Sequence, residues 1–306
     1  MQSLFHELRR YLAVYKSAPS LVAPMDHKRR KSNDSATGRY STTSKLSCFT
    51  TSHKSSWEVE KDKFEKMDLE DKRRHYSCGN KFITFDKDNF PRFFGKGVRN
   101  SVKDKMCIWR GDITCLEVDA IVNAANKNLW GGGGVDGAIH IAAGKLLKKE
   151  TDKRYPDGCP TGEARITSGY RLPAKHVIHA VGPKDASEKM LRRCYRNVLR
   201  LVDEHKLKSV AFPCIATGIY GYPNDSAAKV AVETVYSWLK NRSEDSSDCF
   251  IIFCVYLKLD EDIYKELMQK LPAESQELAG KANYDDSGEQ HTNTHESTSP
   301  ESREAT

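Results

Sequence analysis

Residues 120–140 read AIVNAANKNLWGGGGVDGAIH. The opening AIVNAA is short and apolar, the pattern of a buried strand that ends near Val122. From about Gly137 the pattern turns helical and runs to about Glu150. Between them stand four consecutive glycines, Gly131 to Gly134. A glycine run costs backbone entropy on folding, so something nearby must gain from a bare backbone. A loop leading from a strand end into a helix N-terminus is where α/β sheets bind ligands. Its backbone N–H groups and the helix dipole favour anionic oxygens.

The same strand texture recurs outward along the chain. HVIHAV (176–181), SVAFPCIA (209–216) and FIIFCVYL (250–257) all read as buried strands. Helical patterns lie between and beyond them, over about Glu188–His205, Asn224–Lys240 and Glu261–Leu271. Alternating strands and helices predict an α/β sheet with helices on both faces. A second glycine-bearing loop, PCIATGIYGYP (213–223), also follows a strand and enters a helix. Two such loops are suited to gripping an elongated diphosphate between them.

Two phosphate motifs are excluded. Gly132-x-Gly134-x-x-Gly137 matches GxGxxG in form, but NAANKNLW separates it from the strand, so a Rossmann fingerprint is disfavoured. A P-loop requires Gly-Lys-Ser/Thr at its end, and Ala138 follows Gly137.

The chain has 306 residues, 38% hydrophobic and 30% charged. Its net charge of +7 is uneven, with a basic start and an acidic end. No apolar run is long enough to span a membrane, and a membrane is not an expected partner. Nine cysteines without a CxxC pair read as free thiols in a reduced compartment. Cys115, Cys214 and Cys254 lie in apolar surroundings. The spacing holds no metal site, and neither a metal nor a cofactor is expected.

The expected organisation has four parts. Residues 1–55 form a disordered basic leader. Within it, Leu4, Phe5, Leu8, Tyr11, Leu12 and Tyr15 recur at helical spacing, with Arg9, Arg10 and Lys16 off that stripe. This is the pattern of a mitochondrial transit peptide, with Glu7 as an exception. The cluster Lys28–Lys31 gives the nucleus, or else the cytoplasm, as the alternative. Residues 56–100 form a helical preface and linker, with Trp57, Phe64, Met67 and Leu69 docking on something larger. Residues 101–272 are the folded domain. Residues 273–306 are a disordered acidic tail.

Four segments carry a family resemblance: GDITCLEVDAIVNAAN (111–126), GGGGVDGAIH (131–140), CPTGEARITSGYRLPAKHVIHAVGP (159–183) and SVAFPCIATGIYGYP (209–223). Together they closely resemble the macrodomain family, most of all its MacroD-type branch of mono-ADP-ribosyl hydrolases. The similarity covers about residues 105–270, and a weaker likeness reaches back to Trp57.

The resemblance implies a three-layer α/β/α sandwich around a mixed, mostly parallel sheet, with a cleft for ADP-ribose. It implies that Asp112, between Gly111 and Ile113, accepts a hydrogen bond from the adenine amino group, and that Tyr256 packs on adenine. It implies that Asn123, Ala124, Ala125 and Asn126 approach the ligand, with Asn126 on the distal ribose. Gly131, Gly132, Gly133, Gly134, Val135 and Asp136 would form one loop around the diphosphate and that ribose. Ala216, Thr217, Gly218, Ile219, Tyr220, Gly221 and Tyr222 would form the other.

Each site residue also has a plainer reading. Asp112 fits a turn or cap, and Asn123 and Asn126 can satisfy loop backbone. Tyr256 can be core, and His140 a satisfied, partly buried histidine. Asp136, just before the expected helix start, fits an N-cap.

The implied reaction removes mono-ADP-ribose from acidic side chains of modified proteins. A carboxylate leaves readily, so the site needs a positioned water and stabilised charge more than a strong acid. Asp136, Asn126 and His140 are the candidate catalytic residues: Asp136 on the water, Asn126 on the ribose, His140 in support. Deacetylation of O-acetyl-ADP-ribose is an expected second activity, and reversal of mono-ADP-ribosylation is tied to the DNA damage response. Expected partners are mono-ADP-ribosylated proteins, free ADP-ribose and O-acetyl-ADP-ribose, with the chain a monomer. Two rivals remain: a non-catalytic ADP-ribose reader, and a nucleic-acid binder resting on the basic leader, which no aromatic-interleaved basic motif supports.

The chain departs from the branch in three places. Ala216 stands where a serine is usual, and Ile141 where an arginine is usual. The segment after Val181-Gly182-Pro183 is short.

Overall fold

The computed structural model describes residues 54–85, 102–242 and 249–272. The expected leader helix, the Lys28–Lys31 cluster and the acidic tail lie outside the described residues. The chain divides after Lys270, and all described residues but Leu271 and Pro272 belong to the first unit.

Two short helices lead, α1 (Ser56–Lys66) and α2 (Leu69–Arg74). Ser55 and Glu58 form a capping box at the start of α1, which satisfies two backbone donors reciprocally. Asp68 caps α2 through Asp71 N at 2.9 Å. After them, β1 (Ile83–Thr84) pairs in parallel with β3 (Leu116–Glu117). Glu117 gathers this preface: it accepts from Arg73 at 3.0 and 2.7 Å, from Tyr76 Oη at 2.9 Å and from Thr84 Oγ1 at 2.7 Å. Phe64 packs edge-on against Tyr170. Leu69, expected to dock, is instead exposed.

Among the described residues, the main sheet has six strands. They are β2 (Met106–Arg110), β4 (Ala120–Ala124), β5 (Ala164–Ser168), β6 (His176–Ala180), β7 (Ser209–Phe212) and β8 (Phe250–Val255). Their order is β2-β8-β7-β4-β6-β5. Every pairing is parallel except β5 with β6. The sheet is therefore mixed and mostly parallel. The four strands read from the sequence are its interior strands, and the unread β2 and β5 are its two edges.

Helices cover both faces. On one, Ile121, Val177, Ala211 and Ile252 meet Ile139, Ala143 and Leu147, which belong to α3 (Gly134–Ala143) and α4 (Lys145–Arg154). On the other lie α5 (Glu188–Glu204), α6 (Asn224–Lys240) and α7 (Lys258–Gln269). There Tyr195 stacks on Phe212 at 5.4 Å between centroids, and Phe253 meets Tyr264 at 4.9 Å. Each fully buried aliphatic chain of this core stabilises the fold by about 1.5–3 kcal/mol.

The helix read as continuous from Gly137 to Glu150 differs in two ways. It starts earlier, at Gly134, and it breaks at Gly144 (φ 83°, ψ −176°) into α3 and α4. Side chains rarely adopt that backbone conformation, whereas glycine does so at little cost. The last helix starts at Lys258 rather than Glu261.

The topology decides where chemistry can gather. β2, β8, β7, β4 and β6 all run the same way, so their C-terminal ends share one edge of the sheet. Gly111–Ile113, Tyr256, the 213–223 loop, the 123–136 loop and Val181–Pro183 all leave from that edge.

Candidate active site

Asn123 is the fourth residue of β4 and is fully buried. Register places it directly opposite His179 on β6. Its amide Nδ2 lies 3.2 Å from His179 Nδ1 and donates to Asp136 Oδ1 at 2.8 Å. An amide N–H cannot accept, so His179 Nδ1 is the acceptor and Nε2 carries the proton. That proton points to Thr167 Oγ1 at 2.9 Å. Burial pushes the His179 pKa down to about 3, so the ring is neutral.

Asn126 completes the grip on Asp136 from the other side. Its Nδ2 donates to Asp136 Oδ2 at 2.9 Å and to the Gly131 carbonyl at 2.8 Å. Its Oδ1 accepts from Asn128 N at 3.0 Å. This one side chain therefore ties the glycine loop to the carboxylate.

Asp136 does not occupy the cap position expected of it. Because α3 begins at Gly134, Asp136 is the third helical residue, and Gly133 is the N-cap with no side-chain bond. The carboxylate points inward, where it is 4% exposed. Burial pushes its pKa up to about 6, against the amide bonds from Asn123 and Asn126 that lower it. His140 lies one turn on, its Nε2 3.6 Å from Asp136 Oδ1. Burial, aided by Lys148, pushes the His140 pKa down to about 4. At neutral pH the pair is a carboxylate beside a neutral imidazole, not an ion pair. His140 Nε2 has no hydrogen-bond partner although it is buried. The expectation of a satisfied histidine therefore fails.

The glycines lie against this group. A Cβ on Gly132 would sit 3.2 Å from Asp136 Oδ2, and one on Gly131 3.0 Å from the His140 ring. A Cβ on Gly133 would sit 2.8 Å from Ile219 Cδ1, so the two loops meet there. Ile219 is exposed, and Tyr220 lies close enough that the charge of Asp136, after burial, raises its pKa. Ala216 takes a left-handed conformation (φ 71°), as does Gly221 (φ 66°). Tyr222 N donates to Ala216 O at 3.0 Å and Gly221 N to Gly218 O at 3.1 Å, which closes the loop on itself. Thr217 Oγ1 donates to Cys214 O at 3.1 Å. With that proton and the Gly221 and Tyr222 N–H groups used, what the loop can offer an anion is its other backbone N–H groups. Neither α3 nor α6 has a side-chain cap, so both present open N-termini.

Asp112 and Tyr256 lie beyond the adjacent ends of β2 and β8, where Arg110 pairs with Val255. Asp112 does cap a turn: Oδ1 accepts from Thr114 N at 2.9 Å and Thr114 Oγ1 at 2.8 Å. The turn reading thus holds, and it leaves Oδ2 of this exposed residue for a ligand. Tyr256 is 39% exposed, so it is not core. Ile113 and Ala125 are buried in apolar clusters, and Gly111 is covered by the Trp109 ring.

His179, Thr167 and Lys184 went unread in the sequence. Lys184 stacks its ammonium over the Tyr220 ring at 5.1 Å, from the short segment after Pro183. A separate cavity of about 790 Å³ lies between α1 and the β5 edge, lined by Trp57, Arg154, Ser168, His176 and His205 among others. Its Lys54 and Lys61 pair with Asp62 and Glu65.

The Macro domain family model matches residues 122–231. ADP-ribose glycohydrolase MACROD1 of Rattus norvegicus is 50% identical over 219 residues, 65% of this chain and 82% of that protein. The chain belongs to the macrodomain family. ADP-ribose glycohydrolase MACROD2 of Homo sapiens is 45% identical over 240 residues, 71% of this chain and 54% of its own length. This macrodomain chain thus spans about half of that relative. Among solved structures, the Trypanosoma brucei macrodomain in complex with ADP-ribose aligns with a TM-score of 0.57 and 32% identity, covering 71% of this chain and 91% of that one. The three-layer arrangement expected for a macrodomain is the one described above.

Proposed function

We propose that this macrodomain hydrolyses the bond between ADP-ribose and an acidic side chain of a modified protein. The relatives named as ADP-ribose glycohydrolases support the reading. The observation that carries it is the Asp136 carboxylate, held between Asn123 and Asn126 beneath Gly132 and beside an unpartnered His140 nitrogen.

The adenine lies toward Asp112 and Tyr256. The diphosphate passes between the 131–134 and 216–222 loops, against their N–H groups. The distal ribose then reaches Asn126 and His140. Water attacks ribose C1″, and the C1″–O bond breaks with its electron pair going to the departing side-chain carboxylate. Asp136 orients that water and takes its proton. A carboxylate with a pKa near 6 is ionised at neutral pH and basic enough for this role. His140, being neutral, donates its Nε2 proton to a ribose hydroxyl or the water without adding charge. The ester of O-acetyl-ADP-ribose binds in the same cleft, and its deacetylation is part of the same proposal.

The test uses the full chain and a protein mono-ADP-ribosylated on glutamate. Release of free ADP-ribose supports the hydrolase. Tight ADP-ribose binding in calorimetry without release makes the chain a reader and removes the role given to Asp136.

A further inference from the structure

The helix that carries Asp136 and His140 is held at both ends by residues outside it. At its N-terminus, Asn123 and Asn126 hold it through Asp136. At its C-terminus, the last carbonyls of a helix lack intrahelical partners and must be met elsewhere. His140 O is met by Gly144 N at 3.1 Å. Ala142 O accepts from Ser77 Oγ at 2.5 Å. Ala143 O accepts from Arg171 N at 3.5 Å. Ser77 N in turn donates to Arg171 O at 3.0 Å, and Arg171 Nε donates to His75 O at 3.3 Å. The preface and the 170–175 turn thus close a ring of hydrogen bonds around the end of α3. Ser77 is the member of the preface that reaches the helix itself, across 65 residues of sequence.

We infer that Ser77 is a positioning residue for the reaction: its hydroxyl sets the axial position of α3, and so the placement of Asp136 and His140 against the ligand. The physical case is one of leverage. His140 lies two residues before Ala142, and its Nε2 already stands 3.6 Å from Asp136 Oδ1. A helix moves as a unit, so a shift at one end is carried to His140 undiminished. Placement errors of about 1 Å cost up to about a hundredfold in rate. The preface is anchored independently through Glu117, which accepts from Arg73, Tyr76 and Thr84. Losing the Ser77 contact therefore removes one of the three hydrogen bonds that meet the last carbonyls of α3, while the preface stays docked.

This inference rests on the proposed hydrolase, and its test separates the two. Four variants of the 306-residue chain are compared with the parent: Ser77→Ala, Ser77→Thr, Ser77→Asp and Tyr76→Phe. Ser77→Ala lowers the single-turnover rate of ADP-ribose release about tenfold, with ADP-ribose Kd unchanged. Ser77→Thr keeps the hydroxyl and restores the rate. Ser77→Asp sets a carboxylate against a carbonyl at the negative end of the helix and loses more than alanine does. Tyr76→Phe loses a preface hydrogen bond to Glu117 without touching α3, and keeps the parent rate. NMR of the His140 imidazole is recorded in the same set. Its resonances shift in Ser77→Ala and not in Tyr76→Phe. If the parent releases no ADP-ribose, the hydrolase reading fails, and the His140 shifts alone decide the role of Ser77. A Ser77→Ala variant with parental rate and parental His140 resonances overturns the inference. So does one whose loss is matched by Tyr76→Phe.

Discussion

The side-chain amide of Asn126 donates to Asp136 Oδ2 at 2.9 Å, across a loop that contains all four consecutive glycines. The loop can close this tightly because Gly132 leaves room above both side chains. Replacing Asn126 with alanine removes the bond and leaves a buried carboxylate oxygen without that donor. Such a loss costs about 1–3 kcal/mol, read as a lower midpoint in urea. The Asp136 pKa then rises further above about 6, because the lost bond favoured the charged form. The rate of ADP-ribose release falls more than the stability does.

Asp136 also sets an acidic limb in the rate. Its carboxylate acts as a base only when ionised, so single-turnover release rises with pH through about 6 and is flat above it. A rate unchanged between pH 5 and 8 would remove Asp136 from that role.

Stability follows pH with a different sign for each group. Asp136 has its pKa raised, so the folded state binds the extra proton and Asp136 favours folding as pH falls through about 6. His140 and His179 have theirs lowered to about 4 and about 3, so the unfolded state binds the extra proton below about 6.5. The two histidines outweigh the one aspartate. These three groups together make the protein less stable at pH 5 than at pH 7 by roughly 2–3 kcal/mol. Urea titrations at the two pH values measure this, and a His179→Gln variant shows a smaller difference.

Two glycines separate ligand space from fold space. A Cβ at Gly133 meets only the end of the flexible Ile219 side chain at 2.8 Å. Gly133→Ala therefore keeps its melting temperature but binds ADP-ribose about tenfold more weakly, since the methyl narrows the gap between the loops. A Cβ at Gly137 meets the Gly132 carbonyl at 2.2 Å, and backbone cannot yield as a side chain does. Gly137→Ala costs about 1–3 kcal/mol of stability. Parallel calorimetry and thermal melts read both outcomes.

On the proposed function, Asp112 carries two separable tasks, the turn and the adenine contact. Asparagine can still accept from Thr114 through Oδ1, so Asp112→Asn keeps the turn and the melting temperature. It replaces Oδ2 with an amide donor that repels the adenine amino group. Calorimetry then shows weaker ADP-ribose binding at unchanged stability. Asp112→Ala loses both, including about 1 kcal/mol for the cap.

The interior of the fold was legible and its margins were not. β4, β6, β7 and β8 are covered on both faces, so AIVNA, HVIHA, SVAF and FIIFCV read as near-continuous apolar runs, broken by Asn123, His176, His179 and Ser209. MCIWR and ARITS are the edges β2 and β5, where less burial allows Trp109, Arg110 and Arg165 into a strand. The break at Gly144 was hidden because apolar residues continue through it at helical spacing. At the site, the two glycine loops were legible because backbone that must approach a ligand shows as glycine. The buried layer beneath them was not. Asn123 meets His179 through strand register, and His179 meets Thr167 across the next strand, a relation that local sequence does not contain. The His179 position was open to notice, as a titratable residue inside an apolar run.

On the proposed function, the carboxylate gripped by Asn123 and Asn126 performs chemistry and not only ligand binding. The most direct measurement is single-turnover release of ADP-ribose from a glutamate-modified protein by the full chain and by Asp136→Ala, with ADP-ribose Kd measured on both. The expected rate is lower by about 10²–10⁴ in the variant, at a Kd within a few-fold of the parent. A variant that releases ADP-ribose at the parental rate, or loses rate only in proportion to lost binding, would contradict it.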